Sequence, residues 1–151
     1  MQPVKTAAMT LRTLFALPLL ALLPAAAPGA SVEVRIEKLR NAKGVVHLCL
    51  TANAAHFPDC AGDPKAKKKS VPAGSAASVT IGGVAPGAYA LSVFHDENGN
   101  TKFDTFLKIP KEGFGFSRNP TVRFGAPKFA QVRFEVGAGI ARQTVRMQYL
   151  L

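Results

Sequence analysis

The sequence predicts an all-β protein: a single antiparallel β-sandwich of about seven short strands, preceded by a cleavable signal peptide. Three observations lead to this prediction. Stretches in which apolar and polar residues alternate recur along the chain, and that period of two is typical of half-buried strands. Turn residues such as Gly, Pro and Asn separate these stretches. A short apolar run near the N-terminus ends in small residues, as export signals do.

Residues 1–30 have the composition of a signal peptide. Lys5 and Arg12 are their only charges, and both precede the apolar run 14–23. That run is about half of the roughly 20 apolar residues that a membrane-spanning helix needs, and a proline interrupts it. We therefore favour cleavage over the alternative of a transmembrane anchor. Residues 31–151 are then one mature domain, periplasmic or secreted, without a membrane span.

Alternation begins directly after the signal. Val32, Val34 and Ile36 alternate with charged residues and predict a strand at 32–37, and segment 45–51 repeats the pattern. Because turn residues separate the two segments, we predict that they form a hairpin.

The later strands follow two long connections. The remaining predicted strands are 78–84, 88–95, 131–136 and 140–150. We expect the last two to form a hairpin through the turn 137–139. Segments 52–77 and 96–129 are predicted as long loops, because they are rich in turn residues. The basic run Lys65–Lys69 is then a solvated loop, whereas a loop as long as 96–129 is expected to be functional or to bury side chains of its own.

The net charge of the chain indicates which classes of partner it could bind. The formal net charge is +10, and residues 1–30 contribute Lys5 and Arg12 without an acid, so the mature part carries 10 − 2 = +8. A basic exported protein would meet an anionic envelope component rather than nucleic acid, for which the sequence has no motif. A basic surface that only keeps the protein soluble is the simpler alternative. We expect a monomer.

Cys49 and Cys60 are the two cysteines of the chain. In an oxidising compartment such a pair usually forms a disulfide, and we predict one here. The alternative is a pair of free or metal-binding thiols. His47 and His56 lie close in sequence, but the two cysteines do not have the CxxC spacing of a metal site.

Segment 96–104 has the spacing of a calcium loop. Side-chain oxygens stand at relative positions 1, 3, 5 and 9, on Asp96, Asn98, Asn100 and Asp104. Calcium takes six to eight hard oxygen ligands, and loops that surround it often supply them from alternating positions. Lys102 would contribute its backbone carbonyl, and Glu112 would complete the shell if the chain folds back. The alternative is an Asx-rich turn without an ion, since Asp and Asn side chains also bond to nearby backbone.

His95 and the phenylalanines allow a different interpretation. His95 precedes Asp96, which suggests a general base, but adjacent strand residues point to opposite faces, so we do not expect the two to pair. Six phenylalanines crowd the long loop: Phe103, Phe106, Phe114, Phe116, Phe124 and Phe129. We expect them to close the open end of the sandwich. A ligand or partner surface formed by His95, Phe114 and Phe116 is the alternative.

Four motifs together resemble a known family. They are Ala85–Ala90 (APGAYA), His95–Asn100 (HDENGN) with Asp104, Ile109–Asn119 (IPKEGFGFSRN) and Phe124–Phe129 (FGAPKF). In combination, over about residues 32–149, the chain resembles the exported bacterial proteins catalogued as domain of unknown function 2141. The resemblance implies an immunoglobulin-like or transthyretin-like sandwich, and the family has no established activity. Members often have Gly after the second Asn, where this chain has Thr101.

These observations favour an exported, non-enzymatic binding or structural module of the bacterial envelope, and they leave open whether loop 96–104 binds calcium with low affinity or forms an ion-free turn. The alternative is an enzyme or small-ligand carrier whose site uses His95, Asp96, Glu112 and the loop 114–116. No other cofactor is expected.

Overall fold

The computed structural model describes residues 29–151, and this part of the chain is built mainly of strands. The predicted signal peptide lies, except for its last two residues, outside the described residues. The strands are β1 (Ala30–Glu37), β2 (Val45–Thr51), β3 (Lys67–Pro72), β4 (Ser78–Val84), β5 (Gly87–Asp96), β6 (Thr105–Phe106), β7 (Ile109–Pro110), β8 (Gly113–Phe116), β9 (Phe134–Val136) and β10 (Ile140–Arg146). One short helix, α1 (Phe129–Val132), and two 3-10 turns, Ala54–His56 and Ala73–Ser75, complete the elements.

Two sheets form the sandwich. The smaller has the order β10-β1-β4, and the larger has the order β3-β2-β5-β8, with β9 also paired to β5. Strands β6 and β7 form a separate two-stranded hairpin. Every strand pair is antiparallel except β1 with β10, which is parallel. The predicted all-β sandwich is confirmed.

Side chains of both sheets meet in one hydrophobic core. Alternate residues of β1, among them Val32 and Val34, are buried together with Leu50 of β2 and Leu91 of β5. The period-two pattern in the sequence therefore marks the inward faces correctly. A second, smaller cluster joins Phe114 and its neighbours from β8, β5 and α1.

Both predicted hairpins are wrong. Strands β1 and β2 lie in different sheets, and β9 pairs with β5 while β10 pairs with β1. A period-two pattern specifies which face of a strand is buried, but it carries no information about the strand beside it. The parallel β1–β10 pair joins the two ends of the domain, so no local turn could have indicated it.

The two segments predicted as long loops contain regular structure. Within 52–77, strand β3 pairs with β2, and Lys67, Lys68 and Lys69 are exposed along this edge strand. Lysines on an edge strand discourage pairing with other chains, which explains a polar strand without alternation. Segment 96–129 likewise contains β6, β7 and β8.

The predicted strand 131–136 is also wrong in part. The chain first forms the helical turn α1, and only its end is the strand β9.

Candidate functional site

The end of β5 places His95 and Asp96 in the interior. The His95 ring lies between the carbonyl of Lys43, 2.7 Å from Nε2, and the Tyr149 hydroxyl, 2.9 Å from Nδ1. Gly44 allows the preceding loop to approach so closely, because a Cβ there would collide with the backbone oxygen of Asp96. Both ring nitrogens of His95 are thus engaged, and His95 does not bond to the Asp96 carboxylate, as predicted.

The Asp96 carboxylate organises the loop that follows it. Oδ1 accepts hydrogen bonds from the amides of Gly99 at 2.7 Å and Asn100 at 3.1 Å, and Oδ2 accepts one from Thr101 at 2.7 Å. Burial opposes ionisation of Asp96, but these amides and the His47 ring outweigh it and hold its pKa below the ordinary value. Asp96 is therefore a fully buried, ionised carboxylate.

The two asparagines bring Asp104 to the same loop. The side-chain amides of Asn98 and Asn100 donate to Asp104 Oδ2 at 2.7 and 2.8 Å. The Asn100 side-chain oxygen accepts from the Lys102 amide at 2.8 Å. The residues at relative positions 1, 3, 5 and 9 therefore form one connected network, which includes the Asx turns of the ion-free alternative.

Glu112 reaches this network because the chain reverses through the β6–β7 hairpin. The Lys111 amide donates to the Asp104 carbonyl at 3.0 Å and closes the hairpin base, and the Asp104 amide donates to Glu112 Oε2 at 3.0 Å. Glu112 is only 4% exposed, and within residues 29–151 its Oε1 has no hydrogen-bond partner, although the backbone amide of Glu97 also acts to lower the pKa of this carboxyl. Burial raises the pKa of Glu112, and the charges of Asp96 and Asp104 raise it further. The structure thus links Asp96, Asp104 and Glu112 through amide groups in one hydrogen-bond network.

The donor set fits a hard cation better than a transition metal. Within residues 29–151, no three His, Cys, Asp or Glu side chains are arranged as ligands of a metal ion. A calcium shell can differ from such a cluster, because amide and backbone oxygens supply part of it. Around Asp104 the amide nitrogens of Asn98 and Asn100 face the carboxylate, while their side-chain oxygens accept from the backbone amides of Asn100 and Lys102.

Thr101 shows why the departure from the family motif matters. Its φ is +63°, a left-handed conformation that a β-branched residue rarely adopts. Glycine adopts it without strain. The loop therefore keeps the backbone shape that a glycine at this position would favour.

A comparison with known families agrees with the motifs in this loop. The family described as "Uncharacterized protein conserved in bacteria (DUF2141)" matches residues 34–144, a range that includes the whole site. The chain belongs to this family. No curated protein and no solved structure matches it.

One contact of Asp96 in this DUF2141 domain, that with His47, was not indicated by the sequence. His47 Nε2 lies 3.3 Å from Asp96 Oδ2, its Nδ1 lies 2.7 Å from Ser70 Oγ, and its ring stacks on Phe94. Ser70 faces His47 only because β3 pairs with β2, and that strand had been predicted as a loop. Strand pairing is the signal that would have revealed this contact.

The phenylalanines of the DUF2141 domain divide into two groups. Phe114 and Phe116 are buried in the second cluster, and Phe129 is half-buried beside it. Phe103, Phe106 and Phe124 are exposed. The buried phenylalanines belong to a cluster separate from the main core, and closure of the open end of the sandwich stays a prediction. His95, Phe114 and Phe116 all lie in the interior rather than on a solvent-facing surface.

Two surface concavities of the DUF2141 domain lie away from this site. One, of about 520 Å³, is lined by residues such as Glu33, Ser78 and Arg142. The other, of about 360 Å³, is lined by residues such as Asp63 and Tyr89. Neither includes a residue of segment 95–118.

The predicted disulfide is confirmed in the DUF2141 domain. Cys49 on β2 is bonded to Cys60, and the Cα atoms are 5.9 Å apart. Among residues 29–151, no helix is both long and apolar enough to span a membrane.

Proposed function

We propose that this protein is an exported, non-enzymatic binding or structural module of the bacterial envelope, and that its loop 96–104 together with Glu112 binds calcium with low affinity. The observation that carries the proposal is the buried Glu112 Oε1, which has no hydrogen-bond partner in the part of the chain that the structure describes. Burying a polar group without a partner costs free energy, and a charged group costs more. A cation beside Glu112 would offset that cost.

The surroundings of Glu112 favour a cation over any neutral ligand. Asp96 and Asp104 are close enough to raise the pKa of Glu112 through their charges, after the larger effect of burial. A buried carboxylate whose ionisation is opposed by burial and by two neighbouring acids gains from a divalent ion beside it. Calcium fits the loop better than magnesium, because it accepts irregular shells of protein oxygens whereas magnesium requires near-octahedral geometry and retains water.

The disulfide and the basic charge support the envelope location. Disulfides persist mainly in oxidising compartments, which agrees with the signal-like segment 1–30. Extracellular calcium modules bind with dissociation constants of about 10⁻⁴–10⁻³ M, which matches a site with three carboxylates. The net charge of +8 outside that segment suits an anionic partner of the envelope.

The alternative of an enzyme or ligand carrier has less support. It would use His95, Asp96, Glu112 and the loop 114–116, but both His95 nitrogens are engaged and Phe114 and Phe116 are buried. A catalytic or carrier site also needs a concave region with convergent polar groups. The two concavities described above lie elsewhere.

Thermal unfolding of the purified protein in chelator and in calcium tests the ion proposal. With about 10 mM calcium, or about 10–100 times the expected dissociation constant, the free energy of unfolding should rise by about 1.4–2.7 kcal/mol. At about 4 °C per kcal/mol, the midpoint should rise by about 6–11 °C. Magnesium at the same concentration should raise it less.

A pair of matched variants locates the effect. Glu112→Gln should lose most of the calcium-dependent rise, because it removes one carboxylate from the shell. Glu135→Gln changes an exposed acid on β9 and should keep the full rise. An unchanged midpoint of the parent protein in calcium, or an undiminished rise in Glu112→Gln, would overturn the ion proposal.

Export can be tested separately. After expression in an exporting bacterial host, the protein should be recovered outside the cytoplasm with a first residue near Ser31. Recovery of the uncleaved chain from the cytoplasm would contradict the proposed location without affecting the ion site.

A further inference from the structure

The β6–β7 hairpin presents apolar side chains to solvent. Phe106, Leu107 and Ile109 are 59%, 80% and 41% exposed. Phe106 and Ile109 are directly paired across the two strands, so their side chains lie on the same face. The hairpin therefore carries a small continuous apolar tip, which we call the 106–109 tip.

The turn of this hairpin is unusual in composition. Leu107 and Lys108 join the strands with φ values of +48° and +66°. Two-residue turns with positive φ at both positions normally contain Asn and Gly, because other residues are strained there. Leu107, the most exposed of the three apolar residues, therefore lowers both the local stability of the hairpin and the solubility of the protein. Strained residues of this kind tend to occur where a segment has a binding role.

The charges around the 106–109 tip are mainly positive. Lys102, Lys108 and Lys111 are all exposed. The two acids of the same stretch are less exposed than the lysines. Asp104 is half-buried and accepts hydrogen bonds from two asparagines, and Glu112 is buried. An apolar projection with exposed lysines in and on both sides of it along the chain complements a surface with an apolar interior and anionic groups above it.

We propose that the 106–109 tip docks on an anionic lipid surface, with the aromatic and aliphatic side chains entering the bilayer interface and the lysines contacting lipid phosphates. A lipid surface suits a projecting tip better than a protein groove does, because it needs no matching shape, and phenylalanine and leucine partition into the interface. This docking goes beyond the ion site and does not rest on it. The hairpin base is already closed by the Lys111–Asp104 backbone bond.

The absence of tryptophan from the chain allows a direct test. Leu107→Trp places a single fluorescent reporter at the tip, and Phe124→Trp places the same reporter at a residue that is 97% exposed and outside the hairpin. The probes are vesicles of phosphatidylethanolamine with phosphatidylglycerol, and vesicles of phosphatidylcholine alone. Both reporters are measured in chelator and in calcium, so that failure of the ion proposal does not decide the result.

We expect the Leu107→Trp emission to shift to shorter wavelength on anionic vesicles in at least one of the two media, and bromine-labelled acyl chains should quench it. The Phe124→Trp emission should stay unshifted. The double variant Phe106→Thr with Leu107→Asn should bind anionic vesicles at least about tenfold more weakly than the parent protein. Asn suits the turn and Thr suits the strand, so its thermal midpoint should not fall.

Four results with vesicles would overturn the docking proposal. They are an unshifted Leu107→Trp signal on anionic vesicles in both media, equal shifts of the two reporters, equal shifts on neutral vesicles, and unchanged vesicle binding by the double variant. A shift without vesicles that grows with protein concentration would also overturn it, in favour of contact between copies of the chain.

Discussion

Glu112→Gln should stabilise the protein when no calcium is present. The substitution keeps the volume of the side chain and an oxygen that can accept from the Asp104 amide, but it removes the buried charge. Because the folded state raises the pKa of Glu112 above its ordinary value of 4.5, the folded state binds the proton more tightly than the unfolded chain. The stability contributed by this group therefore falls as pH rises above 4.5 and levels off above the folded pKa.

The size of the effect follows from two opposing contributions. A buried group without a partner costs more when it is charged, so replacing the charged oxygen by a neutral amide nitrogen, which stays buried, removes an excess of about 2 kcal/mol. The Asp104 hydrogen bond is weaker to a neutral amide than to a carboxylate, by about 1 kcal/mol. The net gain for Glu112→Gln at neutral pH is then about 1 kcal/mol, or about 4 °C in the unfolding midpoint.

Urea unfolding of the parent and the variant in chelator, between about pH 4 and pH 8, measures this difference. The variant should match the parent near pH 4, where Glu112 is protonated in both states, and exceed it by a margin that grows toward neutral pH. Glu135→Gln should show no such pH-dependent margin. A variant that is less stable than the parent at every pH, or a margin that is independent of pH, would refute the reasoning about the unpaired oxygen.

Further variants test other parts of the structure by urea unfolding. Asp96→Asn should lower the free energy of unfolding by about 1–3 kcal/mol at neutral pH, because one acceptor for a loop amide is lost. Because folding lowers the pKa of Asp96, the advantage of the parent over the variant is present above pH 3.8 and is lost at lower pH. A deficit of the variant that persists through the acid range would contradict this explanation. Thr101→Gly should gain up to about 1 kcal/mol by relieving the positive φ, and a loss would show that the threonine side chain matters more than its backbone. Gly115→Ala should cost about 1–3 kcal/mol, because its Cβ would lie 2.5 Å from a valine methyl of β10, and unchanged stability would mean that the sheets can separate there. Replacing Cys49 and Cys60 by Ala should lower the free energy of unfolding by about 3 kcal/mol, because it opens a disulfide loop with a sequence separation of 11. If the variant were less stable than the parent by the same amount in reducing buffer, the loss would not come from the disulfide.

The candidate site illustrates which part of a site is predictable. The oxygens of Asp96, Asn98 and Asn100 lie within one short loop, so their spacing alone predicted a shared network. Glu112 joins the network only because the chain reverses direction after Asp104. The sequence predicted that Glu112 would contribute if such a reversal occurred, but it did not predict the reversal. The reversal occurs through β6 and β7, whose turn residues Leu107 and Lys108 give no turn signal.

The sequence by itself determined the class of fold, the family, the inward faces of most strands and the cysteine pair. These features depend on local periodicity, on motifs and on the number of cysteines. Only the tertiary structure decided the partner of each strand, including the parallel pairing of β1 with β10, the burial of Glu112 without a hydrogen-bond partner, and the contact between His47, Ser70 and Asp96. Those features depend on contacts between residues far apart in the chain, and a pattern that repeats every two residues cannot specify which distant segment lies beside it.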